Sequence, residues 1–201
     1  MKRIVIALLA CFVALSVAAQ GRISYSLEFS GGVGYGRGPL FTVAPDFVAQ
    51  YDLGEMVKAG VGVGARYSMP CETYKNTNGS HERRFCYELD IPVFARLSWG
   101  GEKFYSNLDA GYNVVNVFTT MGKYWVPTGD IDPIYDGLFI EPQACWRISR
   151  KSMLAIGLLF QQGNIRDTFS KTYSDGGGFS STQSHENEFF PALTLRYGYC
   201  F

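Results

Sequence analysis

The chain has 201 residues, of which 47% are hydrophobic and 15% aromatic, with 23 glycines and a formal net charge of zero. So apolar a composition excludes a disordered segment, and a neutral chain lacks the basic footprint of a nucleic-acid-binding protein. The length suits one domain.

Lys2 and Arg3 precede an apolar run from Ile4 to Leu15, and Ser16-Val17-Ala18-Ala19 follows it. Small residues after such a run mark a secretory signal peptide, so residues 1–19 are expected to be removed and 20–201 to form the domain. Leu8-Leu9-Ala10-Cys11 has the form of a lipoprotein box, but the apolar run continues past it, which argues against lipidation. The run of 12 residues is shorter than the roughly 20 that a spanning helix needs, and no later stretch is longer.

Downstream, eight segments alternate with a period of two, the signature of strands with one apolar face. Residues 22–35 set Ile23, Tyr25, Leu27, Phe29, Val33 and Tyr35 against Ser24, Ser26, Glu28 and Ser30. The second sets Phe41, Val43, Phe47, Ala49 and Tyr51 against Thr42, Asp46 and Gln50, and the third Val57 to Tyr67 against Lys58, three glycines and Arg66. In the fourth, Phe85 to Trp99 oppose Arg84, Glu88, Asp90, Arg96 and Ser98. The fifth, from about Phe104 to Phe118, opposes Leu108, Ala110, Tyr112 and Val114 to Asn107, Asp109, Gly111 and Asn113. The sixth opposes Leu138 to Ile148 to Glu141, Gln143, Cys145 and Arg147, and the seventh Leu154 to Phe160 to Ala155, Gly157 and Gln161. The eighth, from Phe189 to Phe201, puts Leu193, Leu195, Tyr197, Tyr199 and Phe201 on one face and Thr194, Arg196 and Gly198 on the other.

Tight turns are expected at Asp52 to Glu55, Gly100 to Glu102 and Arg150-Lys151, with loops over 70–83, 119–135 and 163–187 and a short connection at 36–39. Alternating short and long connections fit an up-and-down barrel. Charge decides between a soluble barrel and a membrane one. Pointed inward, the apolar faces would overfill a small interior; pointed outward, they leave Glu28, Asp46, Glu88, Asp90, Asp109 and Glu141 inside with Lys58, Arg66, Arg96, Arg147 and Arg196. Six acids and five bases nearly neutralise one another there, which offsets the cost of burying charge. Aromatic residues gather at both ends of the outward faces, as at two membrane interfaces. The expected fold is thus all-β, an eight-stranded antiparallel up-and-down transmembrane barrel. Pro45, Pro92, Pro142 and Pro191 fall inside strands, where each removes a ladder donor, so each is expected at a bulge or near a strand end.

The signal peptide, the eight segments, Leu89-Asp90-Ile91-Pro92-Val93 and the terminal Tyr197-x-Tyr199-x-Phe201 resemble the small outer-membrane barrel ("porin family", PorT-like) domain of Bacteroidota, and more broadly the OmpA/OmpX-type eight-stranded barrels. The resemblance implies an outer-membrane location, a monomer among outer-membrane lipid and lipopolysaccharide, and the C-terminal aromatics as the signal read by the barrel assembly machinery. It carries no catalytic motif.

Inward glycines in Gly32-x-Gly34-x-Gly36 and Gly60-x-Gly62-x-Gly64 lack the strand-turn-helix setting of a nucleotide loop, and make room for larger groups such as Phe94 and Phe139. The inward charges are either a structural network that fills the lumen or a lining that selects ions; the narrowness of eight strands favours the first. Ser80-His81-Glu82 and Ser184-His185-Glu186 hold the ingredients of a hydrolase or metal site, but consecutive residues cannot converge as a triad does. Residues 130–137 lack the spacing of a calcium loop, and no cofactor or metal is expected. Cys71 and Cys86 flank one loop and are a candidate disulfide in an oxidising compartment. Aromatic residues in the loops suit an extracellular or envelope partner. Three roles follow in order: non-enzymatic interaction, adhesion or envelope integrity; a narrow solute channel; and a lipid-modifying enzyme.

Overall fold

The computed structural model describes residues 23–35, 39–69, 71–75, 81–121, 137–172 and 178–201, with side chains within 23–34, 41–69, 88–115, 137–163 and 189–201. The expected signal peptide, residues 1–19, lies outside the described residues.

All regular structure described is β. The strands are β1 (Ile23–Tyr35), β2 (Pro39–Asp52), β3 (Val57–Gly64), β4 (Arg66–Met69), β5 (Cys71–Lys75), β6 (His81–Gly100), β7 (Phe104–Met121), β8 (Leu138–Arg147), β9 (Ser152–Thr172) and β10 (Gly178–Cys200). β3, β4 and β5 pair in succession along β6 and make one stave, so the wall has eight. Each stave is antiparallel to its neighbours, and β1 pairs with β10 from Ser26↔Cys200 to Gly34↔Ala192, which closes the barrel. Closure satisfies the backbone groups of every stave within the wall, the condition for crossing lipid.

The period of two becomes a clean division of faces. Along β8, exposed and buried residues alternate without a break from Leu138 to Trp146. Phe29, Ile156, Leu158, Leu193 and Leu195 are exposed outside, whereas Glu28, Asp46, Asp109 and Glu141 are each 1% exposed inside. This inverts a water-soluble protein: the apolar side chains coat the outside and the carboxylates form the interior. Such a surface is compatible with hydrocarbon and not with water, so the fold is a transmembrane β-barrel. At the end carrying the short turns, Phe104 stacks on Trp146 at 6.2 Å and Tyr199 meets Phe201 edge-on at 5.5 Å. Trp99 completes this outward aromatic rim.

The four prolines sit where ladders lapse or end. Pro45 faces Ala65, the break between β3 and β4, and its carbonyl accepts from the Ala65 N–H at 3.0 Å. Register shifts in the β6–β7 pair fall between Leu89 and Asp90 and between Ile91 and Pro92. The β8–β9 register runs to Ile140↔Phe160 and resumes at Gln143↔Gly157, leaving Pro142 between. Pro191 lies one step past the last β1–β10 pair.

The connections differ from expectation at one end. The short turns lie at 53–56, 101–103 and 148–151. Of the stretches expected as loops, 70–83 contains β5 paired with the start of β6, and 163–187 is a hairpin in which β9 and β10 pair out to Gly178↔Thr172, with a bulge between His185 and Glu188. β7 likewise runs to Met121. β6, β9 and β10 have 20, 21 and 23 residues, about twice the roughly 9–11 that cross a bilayer. The sequences of these overhanging parts are polar and carry no apolar alternation to betray them.

Candidate functional site in the barrel lumen

Inward parity brings β1, β2, β6, β7, β8 and β10 together at one level of the lumen. Strand register sets Glu28 directly opposite Asp46, and Asp109 directly opposite Glu141. Like charges facing across a ladder destabilise it unless a cation intervenes. Two arginines do so. Arg196 donates through Nη1 to Glu28 Oε2 at 2.9 Å and Asp46 Oδ2 at 2.8 Å, and through Nη2 to Glu141 Oε2 at 2.8 Å. Arg96 donates to Asp109 through Nε at 2.6 Å and Nη2 at 2.8 Å, and to Glu28 through Nη1 at 2.5 Å and Nη2 at 2.9 Å. Glu28 joins the two arginines. Ser26 and Thr194 add hydroxyl donors to Glu28 and Glu141 at 2.9 and 2.7 Å. Fork-shaped guanidinium donors suit this arrangement, since one group reaches carboxylates on several staves.

A neutral relay leads from the short-turn mouth to this layer. Gln50 Nε2 donates to Ser98 Oγ at 2.6 Å, Ser98 Oγ to Asn107 Oδ1 at 2.7 Å, and Asn107 Nδ2 to Gln143 Oε1 at 3.1 Å. Gln143 Nε2 then donates to Asp109 Oδ2 at 2.9 Å. These relay residues are uncharged, and inward parity is the signal the sequence carries for them.

Beside the charged layer lies an apolar one formed by Phe94, Phe139, Leu159, Val48, Phe190 and Ala192. Phe94 and Phe139 meet edge-to-face with centroids 6.0 Å apart. Arg96 stands 5.6 Å from the Phe94 ring and Arg66 4.3 Å from the Phe139 ring, so a guanidinium attends each ring of the pair. Arg66 also donates to Gln161 Oε1 at 3.2 Å. Two glycines admit the rings. A Cβ at Gly62 would overlap the Phe94 ring, and one at Gly111 would lie 2.5 Å from Phe94 Cβ and 2.8 Å from Phe139 Cζ.

The remaining candidate residues divide by position. Glu88 and Asp90 on β6 are fully buried, and register places Arg66 across from Asp90. Lys58 is half-buried and pairs with Asp52 at 2.8 Å near the mouth. Arg147 lies over the Tyr105 ring at 5.6 Å. Neither joins the buried network. The expected six acids against five bases therefore become, among the described residues, six buried acids (Glu28, Asp46, Glu88, Asp90, Asp109, Glu141) against three buried bases (Arg66, Arg96, Arg196). The difference arises because Lys58 and Arg147 lie near stave ends, where water reaches them.

Tyr197 and Tyr199 face outward on β10, and the Phe201 N–H donates to Tyr25 O at 2.9 Å. Register sets Cys71 across from Phe85, while the side chains of Cys71 and Cys86 lie outside those described. Cys145 and Cys200 are free thiols. His81 lies opposite Lys75 and His185 opposite Ile165, so both stand on strands rather than in loops; their side chains are not among those described. Residues 130–136 are likewise outside the described residues. No group of three or more His, Cys, Asp or Glu residues among the described residues could hold a metal ion.

No protein-family model and no curated protein matches the chain. Solved structures of similar shape include a de novo designed transmembrane β-barrel, with 13% identity and a TM-score of 0.41 over 91% of this chain and 99% of that one. The outer membrane protein OprG of Pseudomonas aeruginosa has 10% identity and a TM-score of 0.48 over 91% and 97%. The COG4313 outer membrane channel of Pseudomonas putida F1 has 12% identity and a TM-score of 0.30 over 90% and 96%. The fold of this chain rests on its own closed strand pairing and inverted faces.

Proposed function

We propose that the protein is an outer-membrane barrel with a closed lumen, acting through the hairpins and loops of its long-strand end in a non-enzymatic role of interaction, adhesion or envelope integrity. The observation that carries this reading is the pairing of a buried guanidinium–carboxylate layer with the Phe94–Phe139 layer beside it. Ions crossing the lumen would have to break the first and pass the second, and eight staves leave room for little besides side chains. With the lumen closed, the parts free to meet a partner are those beyond the bilayer, where β6, β9 and β10 overhang. In this reading the barrel sits as a monomer among phospholipid and lipopolysaccharide, and the assembly machinery recognises Tyr197, Tyr199 and Phe201.

The buried acid excess favours one second reading: a lumen that admitted water would select cations. Planar-bilayer recording of the refolded protein separates the two. The wild type stays silent, whereas the Phe94→Ala/Phe139→Ala variant opens small cation-selective steps. Reproducible steps from the wild type would overturn the closed lumen and make the channel the function.

A further inference from the structure

The short-turn end of the barrel is electrostatically lopsided. The β6–β7 and β8–β9 turns carry Lys103, Arg150 and Lys151, all exposed, with Glu102 as the single acid within 101–103 and 148–151. The β2–β3 side instead carries Asp52 and Glu55, with Lys58 engaged by Asp52. The two basic turns are tied together, since the Arg147 N–H donates to Lys103 O at 3.0 Å. Their cations also have a direction. Lys103 Nζ lies 5.9 Å from the centroid of Phe104, and Lys151 Nζ 5.9 Å from that of Tyr199. Both rings are on the outward, lipid-facing side, and Phe104 is itself stacked on Trp146. The ammonium groups are thus held against the aromatic rim, at the height of lipid headgroups, rather than over the lumen.

We propose that this arc, from the β6–β7 turn to the β10 end, is a binding surface for anionic phospholipid, the headgroup phosphate lying between Lys103, Arg150 and Lys151 and the acyl chains along Phe104, Trp146 and Tyr199. Cations clustered at a bilayer surface attract acidic lipid, and aromatic rings at the same depth fix the protein's height there. Cation–π attraction to Phe104 and Tyr199 draws the two lysine heads toward the rim and so lowers the entropy lost on binding. The inference rests on the membrane reading of the barrel and adds a lipid preference confined to one side.

Trp146 serves as the reporter. In a Trp99→Phe/Trp125→Phe background, the full chain is folded into phosphatidylcholine vesicles containing a minority of phosphatidylglycerol, with bromine placed high on the acyl chains of one lipid or the other. Quenching per brominated molecule is expected to be about three- to tenfold stronger from the phosphatidylglycerol. It falls to parity in the Lys103→Gln/Arg150→Gln/Lys151→Gln variant, whose folding is checked by heat-dependent gel mobility. In the unsubstituted background it also falls to parity at about 1 M salt, where the screening length is about 3 Å. Equal quenching by the two lipids at low salt would overturn the proposal, as would an enrichment that survives the triple substitution. Absence of quenching by either lipid would instead remove the membrane reading on which it depends.

Discussion

Replacing Arg196 by methionine tests whether the lumen is held by its charged layer. The substitution keeps most of the side-chain length and removes the donors that meet Glu28, Asp46 and Glu141 at 2.8–2.9 Å. Among the described residues, the buried side chains then number six acids against two bases instead of three. Glu28 keeps Arg96 and Ser26, and Glu141 keeps Thr194, so the largest loss falls on Asp46. Breaking a buried ion pair by removing one partner costs about 3–5 kcal/mol, which lowers the folding equilibrium constant by roughly two to four orders of magnitude. The assay is urea unfolding in vesicles, followed by tryptophan fluorescence under conditions where folding and unfolding curves coincide. Adding Asp46→Asn to Arg196→Met removes the largest of the resulting penalties, and the double variant is expected to recover about 1–2 kcal/mol. A loss below about 1 kcal/mol in the single variant, or no recovery in the double one, would refute the idea that these arginines hold the interior together.

Two glycines in the same wall should behave oppositely. Gly62→Ala places a methyl in the Phe94 ring and is expected to cost about 1–3 kcal/mol, whereas Gly31→Ala, with nothing within 4 Å of its added Cβ, stays within about 0.5 kcal/mol in the same unfolding assay. Leu195→Arg puts a charge on the lipid-facing side of β10 and is expected to cost about 2–4 kcal/mol in vesicles, with a smaller loss for Phe201→Arg at the rim. Phe94→Ala, leaving a cavity between the Arg96 guanidinium and the Phe139 ring, should lose about 3–5 kcal/mol and shift the urea midpoint without changing the heat-dependent mobility of the folded form.

The barrel was legible in the sequence because lipid outside and charge inside impose a strict period of two, as the run from Phe189 to Phe201 displays at full length. The aromatic filling was legible in part, since Gly62 leaves the space that Phe94 occupies, whereas Gly32 meets Thr194 and Thr42, and Gly111, which admits both rings, lies outside the two glycine motifs. Parity names the face of a residue but not its height or reach. Hence Lys58 and Arg147 seemed equivalent to Arg96, although they lie near stave ends. The bridging of Glu28 with Asp46 by Arg196, and of Glu28 with Asp109 by Arg96, depends on register between staves, which residues far apart in the chain fix only upon closure. The pairing of β9 with β10 beyond Gly163 was hidden for a different reason: its serines and threonines pair through the backbone, without the apolar stripe that marks a strand in lipid.

From Phe189 to Tyr199, the odd-numbered residues of β10 face lipid and the even-numbered ones a dry interior. Nitroxide labels placed singly from Phe189 to Tyr199, in a Cys-free background, test it through their collisions with oxygen and with a water-soluble nickel chelate. Oxygen contact is expected to peak at Leu193, Leu195 and Tyr197, with labels at Ala192, Thr194 and Gly198 reached by neither agent. Nickel contact at Leu193 and Leu195, or oxygen peaks on the even positions, would contradict it.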